Sequence, residues 1–264
     1  MKFRKCFRKE SAVQENGRVK TQYVFRRVES KFLITREQYD ELMQRAAPYL
    51  CDDRYKEGTI TSLYYDTPSH LLIRRSLEKP LYKEKIRLRA YGEVGQDDRV
   101  FAEIKVKHNG VVYKRRVAMT LGQALAYLAG EAPPPVQTQI TRELDWRKKL
   151  YEREGGLAPA MTVVYDRRSY RGVDPEEDLR VTFDTGVRFR CDRLSPEEGL
   201  DGRVILPPDG VLMEVKTSRA LPLWLVRILS EMGIYKSSFS KYGTAYLVSQ
   251  GLIPCATAQE KDKV

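Results

Sequence analysis

The chain reads as an α+β protein built on a large antiparallel sheet or barrel, and three features carry that expectation. Segments of strict apolar/polar alternation recur along it, an Asn109-Gly110 pair separates two of them, and helical patterns fall between or after these segments. A length of 264 residues with 42% hydrophobic content suffices for one substantial core.

The elements follow in order. Residues 1–21 are polar and aperiodic and read as a flexible lead-in, 22–252 as one domain, and 253–264 as a flexible tail. "YVFRRVESKFLIT" alternates as a strand, with Arg27, Glu29 and Lys31 opposite Val28, Phe32 and Ile34. Thr35 is placed to cap a helix whose Tyr39, Leu42, Met43 and Ala46 recur at helical spacing and face a core. "TITSLYYDT" is a β-branched and aromatic strand running into a turn at Asp66-Thr67-Pro68.

"YKEKIRLRAYG" sets Lys83, Lys85, Arg87 and Arg89 on one strand face with Ile86 and Leu88 on the other. The next two alternating segments flank His108-Asn109-Gly110 and predict a hairpin, because Asn-Gly suits the positive φ angles of a two-residue turn. In the first of them Val100, Ala102, Ile104 and Val106 oppose Phe101, Glu103, Lys105 and Lys107. "LGQALAYLAG" and "TQITRELDWRKKLYERE" predict two inserted helices, separated by the breakers Pro133 to Pro135, the second ended by Gly155-Gly156. Three further strands follow in "AMTVVYDRRSYRG", "DLRVTFDTGVRFR" and "GVLMEVKT", and two apolar helices, "LPLWLVRILSEMG" and "SFSKYGTAYLVSQG", close the domain.

Composition narrows the function classes. The balance of 47 Lys+Arg against 36 Asp+Glu gives a net charge of +11, suited to nucleic acid, phosphorylated metabolites or an anionic surface. Cys6, Cys51, Cys191 and Cys255 lack zinc-site spacing and disulfide density, so unpaired thiols in a reducing, cytoplasmic compartment are expected. No apolar stretch approaches the ~20 residues of a membrane span. With only His70 and His108, a metal site must be built on carboxylates, which favours magnesium or manganese over zinc. Neither common glycine-rich phosphate cradle is present, so side chains must hold any bound phosphate.

The polar strand faces are dominated by Lys and Arg where a solvated sheet would carry Thr, Ser, Gln or mixed charge, since like charges opposite one another destabilise a sheet. That pattern suits a barrel whose polar interior holds phosphates, and on the residues alone a solvated basic sheet stays open beside it.

Taken in order, Glu29-x-Lys31, Arg87-x-Arg89, Glu103-x-Lys105, Tyr165-x-Arg167, Arg180 before "VTFDT", Glu214-x-Lys216 and "SFSKYGTA" resemble the VTC domain, in its prokaryotic-type polyphosphate polymerase branch within the CYTH-like triphosphate tunnel metalloenzymes. The resemblance spans nearly all of 23–250. It implies a closed antiparallel β-barrel forming a basic tunnel, with inserted and C-terminal helices, that extends inorganic polyphosphate from ATP and releases ADP.

Carried over by position, it implies that Lys31, Lys85, Arg87, Arg89, Lys105, Arg167, Arg180 and Lys216 meet phosphate, with Arg87, Arg89 and Lys105 at the transferred group. It makes Glu214, with Glu29, the carboxylates for Mn2+ or Mg2+, and Ser240 with Lys241 a clamp at the tunnel mouth. Glu29 and Glu103 also read as simple salt-bridge partners of neighbouring lysines, a reading preferred over metal ligation for Glu103. Ser240 also reads as a plain helix cap followed by an exposed lysine.

Two departures stand out: Arg27 takes the first position of the superfamily's E-x-E-x-K, and Ser238 stands where the eukaryotic branch has lysine, with Lys236 as the substitute cation. The expected partners are ATP, polyphosphate and a separate membrane protein that would hold the chain at the inner face of a membrane. Rival readings are a triphosphatase or ATP cyclase of the same fold, a non-catalytic polyphosphate or inositol-polyphosphate sensor, and, least favoured, a nucleic-acid binder.

Overall fold

The computed structural model describes residues 28–255 apart from 110 and 219. Arg27, Cys6, the expected lead-in 1–21 and most of the expected tail lie outside the described residues.

Among the described residues nine strands form one antiparallel sheet: β1 (Val28–Ile34), β2 (Leu50–Asp66), β3 (Tyr82–Tyr91), β4 (Arg99–His108), β5 (Val111–Thr120), β6 (Ala158–Gly172), β7 (Arg180–Arg190), β8 (Arg203–Val204) and β9 (Val211–Thr217). The hydrogen-bonded path runs β1-β9-β7-β6-β2-β3-β4-β5, with β8 paired to β7. The helices are α1 (Arg36–Ala46), α2 (Leu71–Leu77), α3 (Leu121–Ala129), α4 (Gln139–Leu150), α5 (Leu223–Glu231) and α6 (Lys241–Ser249).

Period-two alternation sorts each strand's side chains onto two faces. The outer face of β1, β7 and β9 packs on α1 and α5 through Phe32, Val181, Phe183, Met213 and Val215, and Tyr39, Leu42, Met43 and Ala46 of α1 are buried there. The outer face of β3 and β4 packs Ile86, Leu88, Val100, Ala102 and Ile104 on α3 and α4. The expected hairpin joins β4 to β5 with His108 opposite Val111, and Asn109 takes φ +47. Thr35 caps α1 in a reciprocal box with Gln38, which satisfies two backbone N–H groups that the helix start leaves free.

The sheet curls tightly without closing its ladder. Lys105 on β4, seventh in the path, lies 3.2 Å from Glu29 on β1, the first. No β1–β5 pairing occurs among the described residues, so the expected closed barrel is met here by a curled open sheet. Part of the free edge of β1 is taken by the chain ahead of α6: Phe32 bridges Lys236, and Ser237 N–H donates to the Lys31 carbonyl at 2.8 Å. A covered edge has fewer backbone groups left to offer another strand. Register shifts in β2 between Asp52 and Glu57, and between Val164 and Asp166 in β6, mark irregularities of the kind that bend strands.

The concave face is itself divided. Along Met161, Val163, Val187, Phe189 and Leu212 it is apolar and filled by Tyr242, Ala245, Tyr246 and Val248 of α6 together with Ile73 of α2. Asp66, 1% exposed, fixes these two helices: its carboxylate accepts from Leu72 N–H (2.8 Å), Ile73 N–H (3.0 Å) and the Tyr242 hydroxyl (2.9 Å). It thereby supplies the N-terminal acceptor that His70, in the left-handed region, does not give α2. Asp66→Ala should lower stability by about 3 kcal/mol by stranding these donors, seen in a circular-dichroism melt as a midpoint lower by roughly 6 to 12 °C. An unchanged midpoint would show that the two helices are anchored otherwise.

Candidate functional site

The remainder of the concave face is charged. On one wall β3 presents Lys83, Lys85, Arg87 and Arg89, while β4 and β5 present Glu103, Lys105 and Lys114. Glu103, 1% exposed, organises this wall. It accepts from Arg87 Nε at 2.9 Å and pairs with Arg87 Nη2 at 2.8 Å, Arg89 Nε at 3.8 Å and Lys114 Nζ at 2.7 Å. Burial alone would raise its carboxyl, but Arg87, Arg89 and Lys114 outweigh that and hold it far below the usual carboxylate range. Two tyrosine hydroxyls complete the wall, Tyr64 accepting from Arg87 at 3.2 Å and Tyr165 from Arg89 at 3.1 Å.

The facing wall is built from β1, β6, β7 and β9. Arg167 donates twice to Asp184, at 2.6 and 2.7 Å, and also reaches Glu214 at 3.4 Å. Glu214 further meets Lys241 at 3.1 Å, Lys216 at 3.2 Å and Lys31 at 3.6 Å. Burial would raise Glu214, but Lys241, Lys216, Lys31 and Arg167 outweigh it and keep the group ionised well below its ordinary value. The same contest, won by Lys105, Lys216 and Lys31, brings Glu29 down to about 2.

Between the walls stands the start of α6. Ser240 caps the helix by accepting from Gly243 N–H at 3.1 Å, and its hydroxyl also accepts from Lys85 at 2.9 Å. Lys31 donates to the Phe239 carbonyl at 2.9 Å. Lys241 is 8% exposed and pairs with Asp184 at 2.5 Å, so the plain alternative of a cap followed by an exposed lysine describes Ser240 and fails for Lys241. Burial and the nearby Lys105, Lys31, Lys83 and Arg87 push the Lys85 ammonium well below the ordinary lysine value, which marks the centre as short of negative charge.

Of the residues singled out from sequence, Glu29, Lys31, Lys85, Arg87, Arg89, Lys105, Arg167, Glu214, Lys216, Ser240 and Lys241 are brought together around this one cavity. Arg180 stands apart. It is opposite Lys216 in the β7–β9 register, but its side chain is 42% exposed and pairs with Asp53 at 2.9 Å. Lys236 and Ser238 are exposed beside the β1 edge.

Glu103 is the salt-bridge partner the pattern favoured. Asp184, Lys114 and Tyr64 are additions from the structure. Asp184 had one legible signal, its position two residues after Thr182 and four after Arg180 on the same strand face. Lys114 had its place opposite Lys105 across the hairpin.

Cations outnumber carboxylates in the cavity by more than two to one, and every carboxylate already holds at least two of them. Such an excess of positive charge suits a compact polyanion. Residues 26–250 match the family model of the VTC domain. A Trypanosoma cruzi protein named vacuolar transporter chaperone complex subunit 4 is 26% identical over 206 residues, covering 62% of this chain and 26% of that protein. The chain thus spans about a quarter of that relative's length.

Among solved structures, a Hippeastrum protein described as a candidate adenylyl cyclase with a dominant triphosphatase activity superposes with TM-score 0.51 at 16% identity, covering 86% of this chain and 98% of that one. A candidate adenylate cyclase of Bacillus halodurans gives TM-score 0.49 at 13% identity, covering 81% and 92% of the two chains. The structural likeness is one of fold, whereas the sequence match extends over the strands that carry Lys31, Arg87, Arg89, Arg167 and Glu214: the chain belongs to the VTC domain family.

Proposed function

We propose that the protein is a metal-dependent polyphosphate polymerase, transferring the γ-phosphate of ATP to the end of a polyphosphate chain held in the basic cavity. The observation that carries this reading is the convergence of Arg87, Arg89, Arg167, Lys31, Lys85, Lys105, Lys216 and Lys241 on one concave face of the curled sheet. Family membership and the name of the trypanosome relative support it.

Phosphoryl transfer requires little covalent chemistry from the protein. It requires the acceptor oxygen, the γ-phosphorus and the leaving oxygen in line, with cations on the equatorial oxygens. Arg87, Arg89 and Arg167 have planar forks that grip phosphate oxygens in pairs, while Lys105 and Lys241 act as point charges. Glu103 and Asp184 hold the arginines extended before substrate arrives, so little reorganisation is needed on binding. As the acceptor's terminal oxygen bonds to the γ-phosphorus, the bond from that phosphorus to the β–γ bridging oxygen breaks and ADP departs.

Synthesis is favoured over hydrolysis by the state of the carboxylates. Water must surrender a proton to a base, but Glu29, Glu103, Asp184 and Glu214 are all held below their ordinary values by adjoining cations and are poor bases. A polyphosphate end arrives already ionised.

For the metal, no group of three or more His, Cys, Asp or Glu forms among the described residues, so a cage made by protein alone is not built. Glu214 and Glu29, both within 3.7 Å of Lys31 Nζ, do fit a hard ion that takes its remaining ligands from phosphate oxygens and water, as Mg2+ or Mn2+ does. Such an ion supplies neutralising charge on the phosphate oxygens. No helix among the described residues is long and apolar enough to cross a membrane. A separate membrane protein that holds the chain at the cytoplasmic face and carries the product belongs to the same proposal.

Incubation of the purified protein with ATP and manganese should give chains resolvable on a gel. Release of orthophosphate or cyclic AMP alone would replace the polymerase by a hydrolase or cyclase. Glu214→Gln should cut turnover by about a hundredfold or more while tripolyphosphate affinity stays equal or rises, because a carboxylate competing for Lys31, Lys216 and Lys241 has gone. Equal turnover would remove Glu214 from the reaction.

Binding should also take up protons. Burial and neighbouring cations lower Lys85, Lys83 and Lys216 in the free protein, and an arriving polyanion restores them, so affinity falls as pH rises toward 10.5. Calorimetry of tripolyphosphate in buffers of different ionisation enthalpy reads this directly; zero or negative uptake would contradict it.

A further inference from the structure

The two ends of the charged face differ. Following β3 along its inner positions, Lys83 and Lys85 lead to Arg87 and Arg89 and then to Tyr91; on β4, Lys107 and Lys105 lead through Glu103 to Phe101 and Arg99. The first end carries lysines alone, with Lys83 beside Lys107 in register and Lys107 exposed. The second carries an aromatic corner. Tyr91 and Phe101 meet edge to face with ring centroids 5.9 Å apart, and Tyr91 is 48% exposed. Two guanidinium groups flank the Phe101 ring, Arg116 at 4.5 Å and Arg99 at 5.3 Å from its centroid.

Among the described residues neither arginine makes an ion pair or a hydrogen bond. Every other arginine deep in the cavity has a carboxylate or a hydroxyl partner, so among the described residues of this wall these two are the arginines left over.

We infer that Phe101 and Tyr91, with Arg99 and Arg116, form the seat of the donor's nucleoside, so that the base of a nucleoside triphosphate stacks at this end while its phosphates lie on Arg89 and Arg87. The inference rests on the polymerase reading above and adds a direction to it. Phe101 is directly opposite Arg89, and Tyr91 is one inner-face step beyond it, about 6.6 Å along the strand. That is the reach of a ribose from the α-phosphate to its base. A base offers a flat π face to aromatic rings and guanidinium planes, which a bare phosphate chain does not. The growing chain then occupies the lysine end, where point charges without aromatic surface suit a flexible polyanion. Stacking is tolerant of the base, so GTP should bind much as ATP does.

Calorimetric titration of the wild type and of Phe101→Ala, Phe101→Trp and Tyr91→Ala, with the imido analogue of ATP and with inorganic tripolyphosphate, tests this. Phe101→Ala should weaken the nucleotide roughly five- to a hundredfold and leave tripolyphosphate unchanged, which also certifies the fold, and Phe101→Trp should keep nucleotide affinity. Nucleotide affinity unaffected by both alanine variants, or an equal loss for both ligands, overturns the inference while the phosphate site stands. A wild type that binds neither ligand overturns the polymerase reading and the inference with it.

Discussion

Four buried or part-buried carboxylates make this concave face foldable. Two unit charges 4 Å apart repel by about 4 kcal/mol at the effective dielectric of a protein surface, and strands β3 and β4 bring Lys83 beside Lys107 and Lys85 beside Lys105. Glu103 answers Arg87, Arg89 and Lys114, Asp184 answers Arg167 and Lys241, Glu214 answers Lys241, Lys216, Lys31 and Arg167, and Glu29 answers Lys105 and Lys31. They neutralise the face only in part. The excess is the binding potential of the site, and the same pairs that let the sheet curl hold its arginines extended and its acids ionised.

Helix α6 connects this electrostatics to the apolar core. Its Tyr242, Ala245, Tyr246 and Val248 fill one part of the concavity, and Tyr242 stacks on Tyr64 with centroids 4.3 Å apart. Tyr64 in turn accepts from Arg87, and Tyr242 donates to Asp66. The N-terminal residues of the helix are thereby delivered among the cations: Ser240 receives Lys85, and Lys241 completes the pairs of Asp184 and Glu214. A hydrophobic plug positions a charged tip, so packing and the placement of the cations are not separable here.

Most strands were legible because a face buried on helices forces period-two alternation, and the same alternation exposed the cation rows of β3 and β4. The hairpin at Asn109 and the cap at Thr35 were legible because their chemistry is local. What was not local was missed. Helix α2 has seven residues and borrows its acceptor from Asp66 in the preceding strand. The early part of β2, polar and shifted in register after Asp52, carries no clean period.

Asp184 had only its place on the face of Arg180 and Thr182 to mark it, since its partners Arg167 and Lys241 come from β6 and α6. Closure of the barrel, implied by resemblance, depends on strand-edge hydrogen bonds that side-chain patterns do not report.

The open seam bears on how the cavity keeps its shape. Between β1 and β4 it is bridged by Lys105 and Glu29, a pair whose side chains are 35% and 16% exposed, and ion pairs reachable by water contribute about 1 kcal/mol or less. A ladder of backbone hydrogen bonds would be far more rigid. Curvature must come from elsewhere, and the register shifts in β2 and β6 together with the apolar filling by α6 supply it. The concavity is therefore propped from within by helix packing, and Lys105 and Glu29 remain side chains that the proposed polyanionic substrate would redirect without unpairing any strand.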